Sequence, residues 1–106
     1  MRFYFRKREL EIRRNIYKTN NRTALVVVDV ETDETYAMLT VNVTNFDHPD
    51  NVFGIKTWSE NEELAEVIFN TGAFEDTGRR AESGHVTVEF WEFKPPFSLT
   101  DIPVVT

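Results

Sequence analysis

The stretch that most constrains this chain is Lys56 to Gly72, the one convincing helix in a sequence that otherwise reads as strands. Ser59 suits an N-cap, since its hydroxyl can accept a hydrogen bond from a free amide of the first turn. Glu62 stands three residues on, the spacing of a capping box. Glu60, Glu62 and Glu63 crowd the first turn, where the helix dipole favours negative charge. Gly72 follows the last turn, where a left-handed residue is wanted. Leu64, Val67, Ile68 and Thr71 form one stripe, and such a helix packs that stripe on a sheet.

The rest of the chain alternates as strands do. Phe3–Lys7 reads as a short strand or a basic arm over residues 1–8. Leu10, Ile12 and Ile16 share one parity of a half-buried strand, with Arg14 the exception on that face. Thr19-Asn20-Asn21-Arg22 is a turn, because Asn tolerates positive φ. Ala24–Val30 is apolar on both parities and β-branched, the pattern of a central strand. Glu31–Glu34 turns the chain into Tyr36–Val43, with Ala37, Leu39, Val41 and Val43 inward and Tyr36, Met38, Thr40 and Asn42 outward. That pair reads as an antiparallel hairpin.

Asn45–Asn51 is a loop, Val52–Ile55 a brief strand, and Ala73–Gly84 a connector with two glycines. His85–Phe93 is the last strand; its apolar residues change parity between Phe90 and Trp91. Pro95-Pro96 closes it, and residues 94–106 form a loosely held tail. The expected fold is one α+β domain over residues 1–106: an antiparallel sheet of four to five strands with one helix packed on one face. Outward Tyr17, Tyr36, Met38 and Trp91 would make the open face adhesive.

Composition narrows the chemistry. The absence of cysteine excludes disulfides and thiolate ligands. No apolar run approaches the roughly 20 residues of a membrane helix, and the N-terminus lacks a signal-peptide pattern, so the expected location is the cytoplasm. There is no Gly-rich phosphate loop, nucleophile elbow or H-E-x-x-H motif, and the expectation is a protein without catalysis, metal or cofactor. His48, beside Asp47 and Asp50, reads as part of a solvated turn.

The net charge of −6 is unevenly distributed. Residues 1–22 hold eight basic side chains against two acidic ones, and residues 23–106 hold four against sixteen. Such asymmetry points to a partner surface. Glu60, Glu62, Glu63 and Glu66, with Asp47, Asp50, Glu75 and Asp76, are the candidate acidic contact surface for a basic protein groove. The alternative is nucleic-acid binding by Arg2, Phe3, Tyr4, Phe5, Arg6, Lys7 and Arg8, which interleave stacking rings with phosphate-seeking charge. The acidic body would repel a polyanion, which favours the first reading.

Asn20-Asn21-Arg22-Thr23-Ala24-Leu25, Tyr36-Ala37, Thr40–Val43, Ile55–Glu62 with its Ser-Glu-Asn-Glu helix start, Gly72 and Ser83-Gly84-His85-Val86 carry a resemblance. Over roughly residues 10–93 the chain resembles a family of short proteins, a domain of unknown function, carried on plasmids, conjugative elements and phages. The resemblance implies a small single domain of a mobile element and carries over no catalytic residue. It suggests an accessory protein that binds a host protein, such as a nuclease or defence effector, as a monomer or homodimer. An inhibitor of the anti-CRISPR or anti-restriction type is the most specific expectation.

Overall fold

A computed structural model describes residues 1–44 and 46–105; Asn45 and Thr106, which belong to the expected loop and tail, lie outside the described residues. Its strands are β1 (Arg2–Phe5), β2 (Arg8–Ile16), β3 (Thr23–Asp29), β4 (Thr35–Met38), β5 (Val52–Ile55), β6 (Phe74–Ser83) and β7 (Val86–Phe93). One helix, α1 (Glu62–Asn70), follows a 3-10 turn at Ser59–Asn61. The fold is α+β, as expected, but its antiparallel strands form two sheets, ordered β1-β2-β3-β4 and β5-β7-β6.

The first sheet is built by three hairpins. Arg6 and Lys7 take φ of 50° and 67°, the left-handed conformations of a tight turn, and Asn21 and Asp33 do the same in the next two turns. The expected Asn turn is therefore observed. β3 is buried along nearly its whole length, as its double-sided apolar pattern requires. The β3–β4 register slips between Val27 and Val28, leaving Tyr36 as the extra residue.

The expected Tyr36–Val43 strand is shorter than its alternation suggests, because the chain changes sheets in its middle. The Leu39 amide donates to the Leu25 carbonyl at 3.0 Å, while the Leu39 carbonyl accepts from Lys56 at 2.8 Å. Val41 then donates to Gly54 at 2.9 Å. Residues 39–41 thus stitch β3 to β5, and the two sheets wrap a shared core. Leu39 lies in that core, whereas Val41 and Val43 pack on the outer face of the second sheet.

The second sheet is covered on both faces, which explains the parity change in β7. Trp91 and Phe93 join the main core with Phe53 and Ile55. Val88 and Phe90 point the other way and form a smaller cluster with Val43 and Val52, flanked by Phe46 and Trp58. Trp91 is therefore buried and cannot belong to an adhesive outer face; Tyr17 and Tyr36 are half-buried, and Met38 is exposed.

Phe74–Ser83 is a strand, β6, inside the stretch where a connector was expected. β6 pairs antiparallel with β7 on both sides of a bulge at Thr77–Arg79, where Gly78 takes φ of 81°. The tail is held as well. Ile102 is 1% exposed within the main core, Arg14 donates to the Pro103 carbonyl at 2.8 Å, and Val105 donates to the Arg14 carbonyl at 2.9 Å. Ile16, expected inward, is exposed instead because it lies past the covered part of β2.

The helix sits where expected, with Leu64, Ala65 and Ile68 in the core; Val67 is half-buried and Thr71 exposed. At roughly 1.5–3 kcal/mol for a fully buried Leu or Ile, these side chains hold the helix far better than any cap. Its N-terminal cap is not the one the sequence suggests. Ser59 takes φ of 58° and opens a 3-10 turn, and no side-chain cap bond forms at either Trp58 or Asn61. Asn61, only 1% exposed, instead donates its side-chain amide to the Met38 carbonyl at 2.6 Å. Gly72 at φ of 83° ends the helix as expected.

Candidate functional site

The eight candidate acids do not form one surface. Five gather around the start of the helix: Glu60, Glu62, Glu63 and Glu66, with Asp76 on β6 beside them. Asp76 faces the same side of its sheet as its cross-strand partner Trp91, and Glu75 therefore faces the opposite side. Asp47 is also on that opposite side, next to Phe46, whose ring stacks on Phe90. Its carboxylate lies 3.5 Å from Arg22, and its carbonyl accepts from Arg79 at 3.2 Å. Asp50 precedes β5, at the opposite end of that strand from Thr57 and the helix.

Within the gathered group, internal cations select among the acids. Glu60 is engaged by Lys56, four residues earlier in the link from β5, and that ammonium together with the Ser59 hydroxyl holds its carboxyl down at about 2. Glu63 accepts from Arg6 at 2.6 Å, a contact from the β1–β2 turn. Both pairs face solvent, which screens them, so they add little to stability, but they occupy those carboxylates. Glu62 and Glu66 have no ion-pair partner among the described residues.

These two unpaired glutamates flank a groove of about 280 Å³ between α1 and the second sheet. Ala65, Phe69 and Trp91 supply its apolar surface, and Thr57 closes one side. Phe69 is 38% exposed and rests on Trp91, with ring centroids 4.9 Å apart. The sheet wall carries Asp76 and Glu89. Arg80 grips Asp76 with two hydrogen bonds of 2.8 and 2.9 Å and comes within 3.8 Å of Glu89. That grip, opposed by partial burial, keeps the Asp76 carboxyl below its ordinary range. Glu89 also accepts from the Trp91 indole at 3.2 Å. One guanidinium against four carboxylates leaves the groove negative.

The basic segment is arranged differently from its sequence reading. It comprises strand β1, the turn at Arg6 and Lys7 and the first residue of β2, and Phe3 and Phe5 are buried in the core, where they offer no ring to a base. Arg2 lies 3.1 Å from Glu11, and Arg8 lies 2.7 Å from Asp29. With Arg6 on Glu63, the exposed Tyr4 and Lys7 remain. His48 packs against Phe90 and lies 3.2 Å from an Arg22 nitrogen, and among the described residues no acid and histidine cluster is arranged to hold a metal ion.

Sequence reasoning missed Phe69, Trp91 and Glu89 as groove residues. One signal was available: Phe69 is a large apolar residue outside the helix stripe, on the face otherwise given to charge. Compared with protein-family models, curated proteins and solved structures, the chain matches none of them. Among the described residues, no helix is long and apolar enough to cross a membrane.

Proposed function

We propose that this chain is a non-catalytic binding protein that engages a basic surface of a partner protein through the helix-start acids and the adjoining groove. The observation that carries this reading is the pair Glu62 and Glu66, unpaired among the described residues and set beside the exposed ring of Phe69. Carboxylates that must be desolvated against a cation, next to an aromatic anchor, are the elements from which a specific interface is made. The partner fitting both this charge and the family resemblance is a nucleic-acid-binding groove of a nuclease or defence effector in the host cytoplasm. Complementary fields would speed that encounter. The basic-strand alternative has less to support it, since Phe3, Phe5 and three of its arginines are already engaged.

The test is comparative capture from host lysate with the wild-type chain and the double variant Glu62→Lys/Glu66→Lys, followed by measured affinity for the captured protein across a salt series. A partner retained by the wild type, lost by the variant and weakened by salt supports the proposal. A partner that binds both chains equally refutes it, as does a nucleic acid that binds without any protein and is lost in Lys7→Ala/Tyr4→Ala.

A further inference from the structure

Among the described residues, three aromatic rings already carry an arginine. Arg6 lies over Phe5 at 5.0 Å while pairing with Glu63, and Arg8 lies over Tyr36 at 6.0 Å while pairing with Asp29. Arg79 lies over Phe46 at 4.8 Å. The first two sites combine a ring, a carboxylate and a guanidinium. The groove presents the same ring and carboxylates in Phe69, Glu62 and Glu66, yet among the described residues no cation lies over Phe69.

We infer that this groove seats one arginine side chain supplied by a partner protein, its guanidinium stacked on Phe69 between Glu62 and Glu66. The inference rests on the binding function proposed above and names the group that is bound. Size supports it: about 280 Å³ falls just below the roughly 300–1,000 Å³ of small-molecule sites and suits a single long side chain. Spacing supports it too, because Glu62 and Glu66 are one turn apart on the same helix face, with Cβ atoms roughly 5–6 Å apart. A planar guanidinium can then donate to both while its face meets the ring. A lysine ammonium is a point charge and meets fewer of these groups at once. The opposite wall already shows the geometry, since Asp76 holds Arg80 through both of its carboxylate oxygens.

The test is a nitrogen-15 NMR titration of the full chain with N-acetyl-arginine-N-methylamide at low ionic strength, in the millimolar range. The expected result is saturable shifts at the Trp91 indole and the amides of residues 62–69. Trp58, on the other face of the second sheet, serves as the unshifted reference. Glu62→Gln/Glu66→Gln and Phe69→Ala should each weaken binding by roughly fivefold or more, the neutral citrulline analogue should not bind, and the lysine analogue should bind more weakly. Shifts that are absent, that spread over the whole acidic surface, that survive the glutamine variant or that citrulline reproduces would overturn the inference. Folding of each variant is checked by its thermal midpoint. If partner capture is lost in Glu62→Lys/Glu66→Lys while the arginine analogue leaves the groove unshifted, the acidic-surface reading stands and the arginine assignment falls. If arginine saturates the groove and partner capture ignores the reversal, the assignment stands and the proposed function falls.

Discussion

Ile102 tests whether the C-terminal segment belongs to the fold. It is 1% exposed and packs in the main core with Leu99 beside it, although by sequence it sits in a tail between the polar turn Ser98–Asp101 and Pro103. Replacing it with alanine removes three buried carbons, costing about 2.4 kcal/mol at roughly 0.8 kcal/mol per methylene. A cavity that failed to collapse would add up to about 1.6 kcal/mol more at roughly 24 cal/mol per Å³ of void. The expected loss is therefore about 2.4–4 kcal/mol. With an unfolding entropy near 2.1 cal/mol/K per residue, a chain of 106 residues loses roughly 11–18 °C in melting temperature. The assay is urea unfolding together with a calorimetric scan, with hydrogen exchange at the Arg14 and Val105 amides as a local readout. Those amides bond across this junction and should exchange faster in the variant. A change below about 0.5 kcal/mol, the range of an ordinary surface substitution, would refute the docked-tail account.

Other consequences are checked in the same way. Ser59→Gly should stabilise the protein by about 0.5–1 kcal/mol, because Ser59 sits at positive φ and its hydroxyl caps no amide, meeting instead the exposed Glu60 carboxylate; a working N-cap would give a small loss instead. Asn61→Ala should cost about 1–3 kcal/mol in chemical denaturation by leaving the Met38 carbonyl without its donor. Asp29 accepts from Arg8 and from the Glu31 and Thr32 amides, which hold its carboxyl below the ordinary value. A depressed carboxyl contributes stability above its unfolded pKa of about 4 and loses it as pH falls through the folded value, so Asp29→Asn should flatten the acid limb of a stability–pH profile.

How much could be read in advance depends on how locally each feature is determined. The β2–β3 and β3–β4 hairpins were legible because Asn20 and Asn21 accept positive φ, because Leu10 and Ile12 alternate with polar neighbours, and because a short polar link, Glu31–Glu34, joins two apolar runs. The helix was legible because its core-facing residues recur at helical spacing. β6 was not, since Phe-Glu-Asp-Thr-Gly-Arg-Arg-Ala-Glu-Ser pairs on one side only, buries just Phe74 fully and is broken by a glycine bulge. An edge strand of this kind shows no hydrophobic period, and its hydrogen bonds to β7 hold it in place. Ser59 misled for a related reason. Serine followed three residues later by glutamate is a sound local signal, but burial of Asn61 against Met38 decides how the turn enters the helix.

The charge on the helix was evident from Glu60, Glu62, Glu63 and Glu66 as written, because helical periodicity places them without reference to anything else. Which of them remain available to a partner was decided only by the folded chain. Arg6 reaches Glu63 across 57 residues of sequence, and Phe69 becomes part of a groove only when β7 brings Trp91 beneath it. Periodicity acts over a few residues. Ion pairing and enclosure act through space, so the acids that stay unpaired are set by where distant strands come to rest.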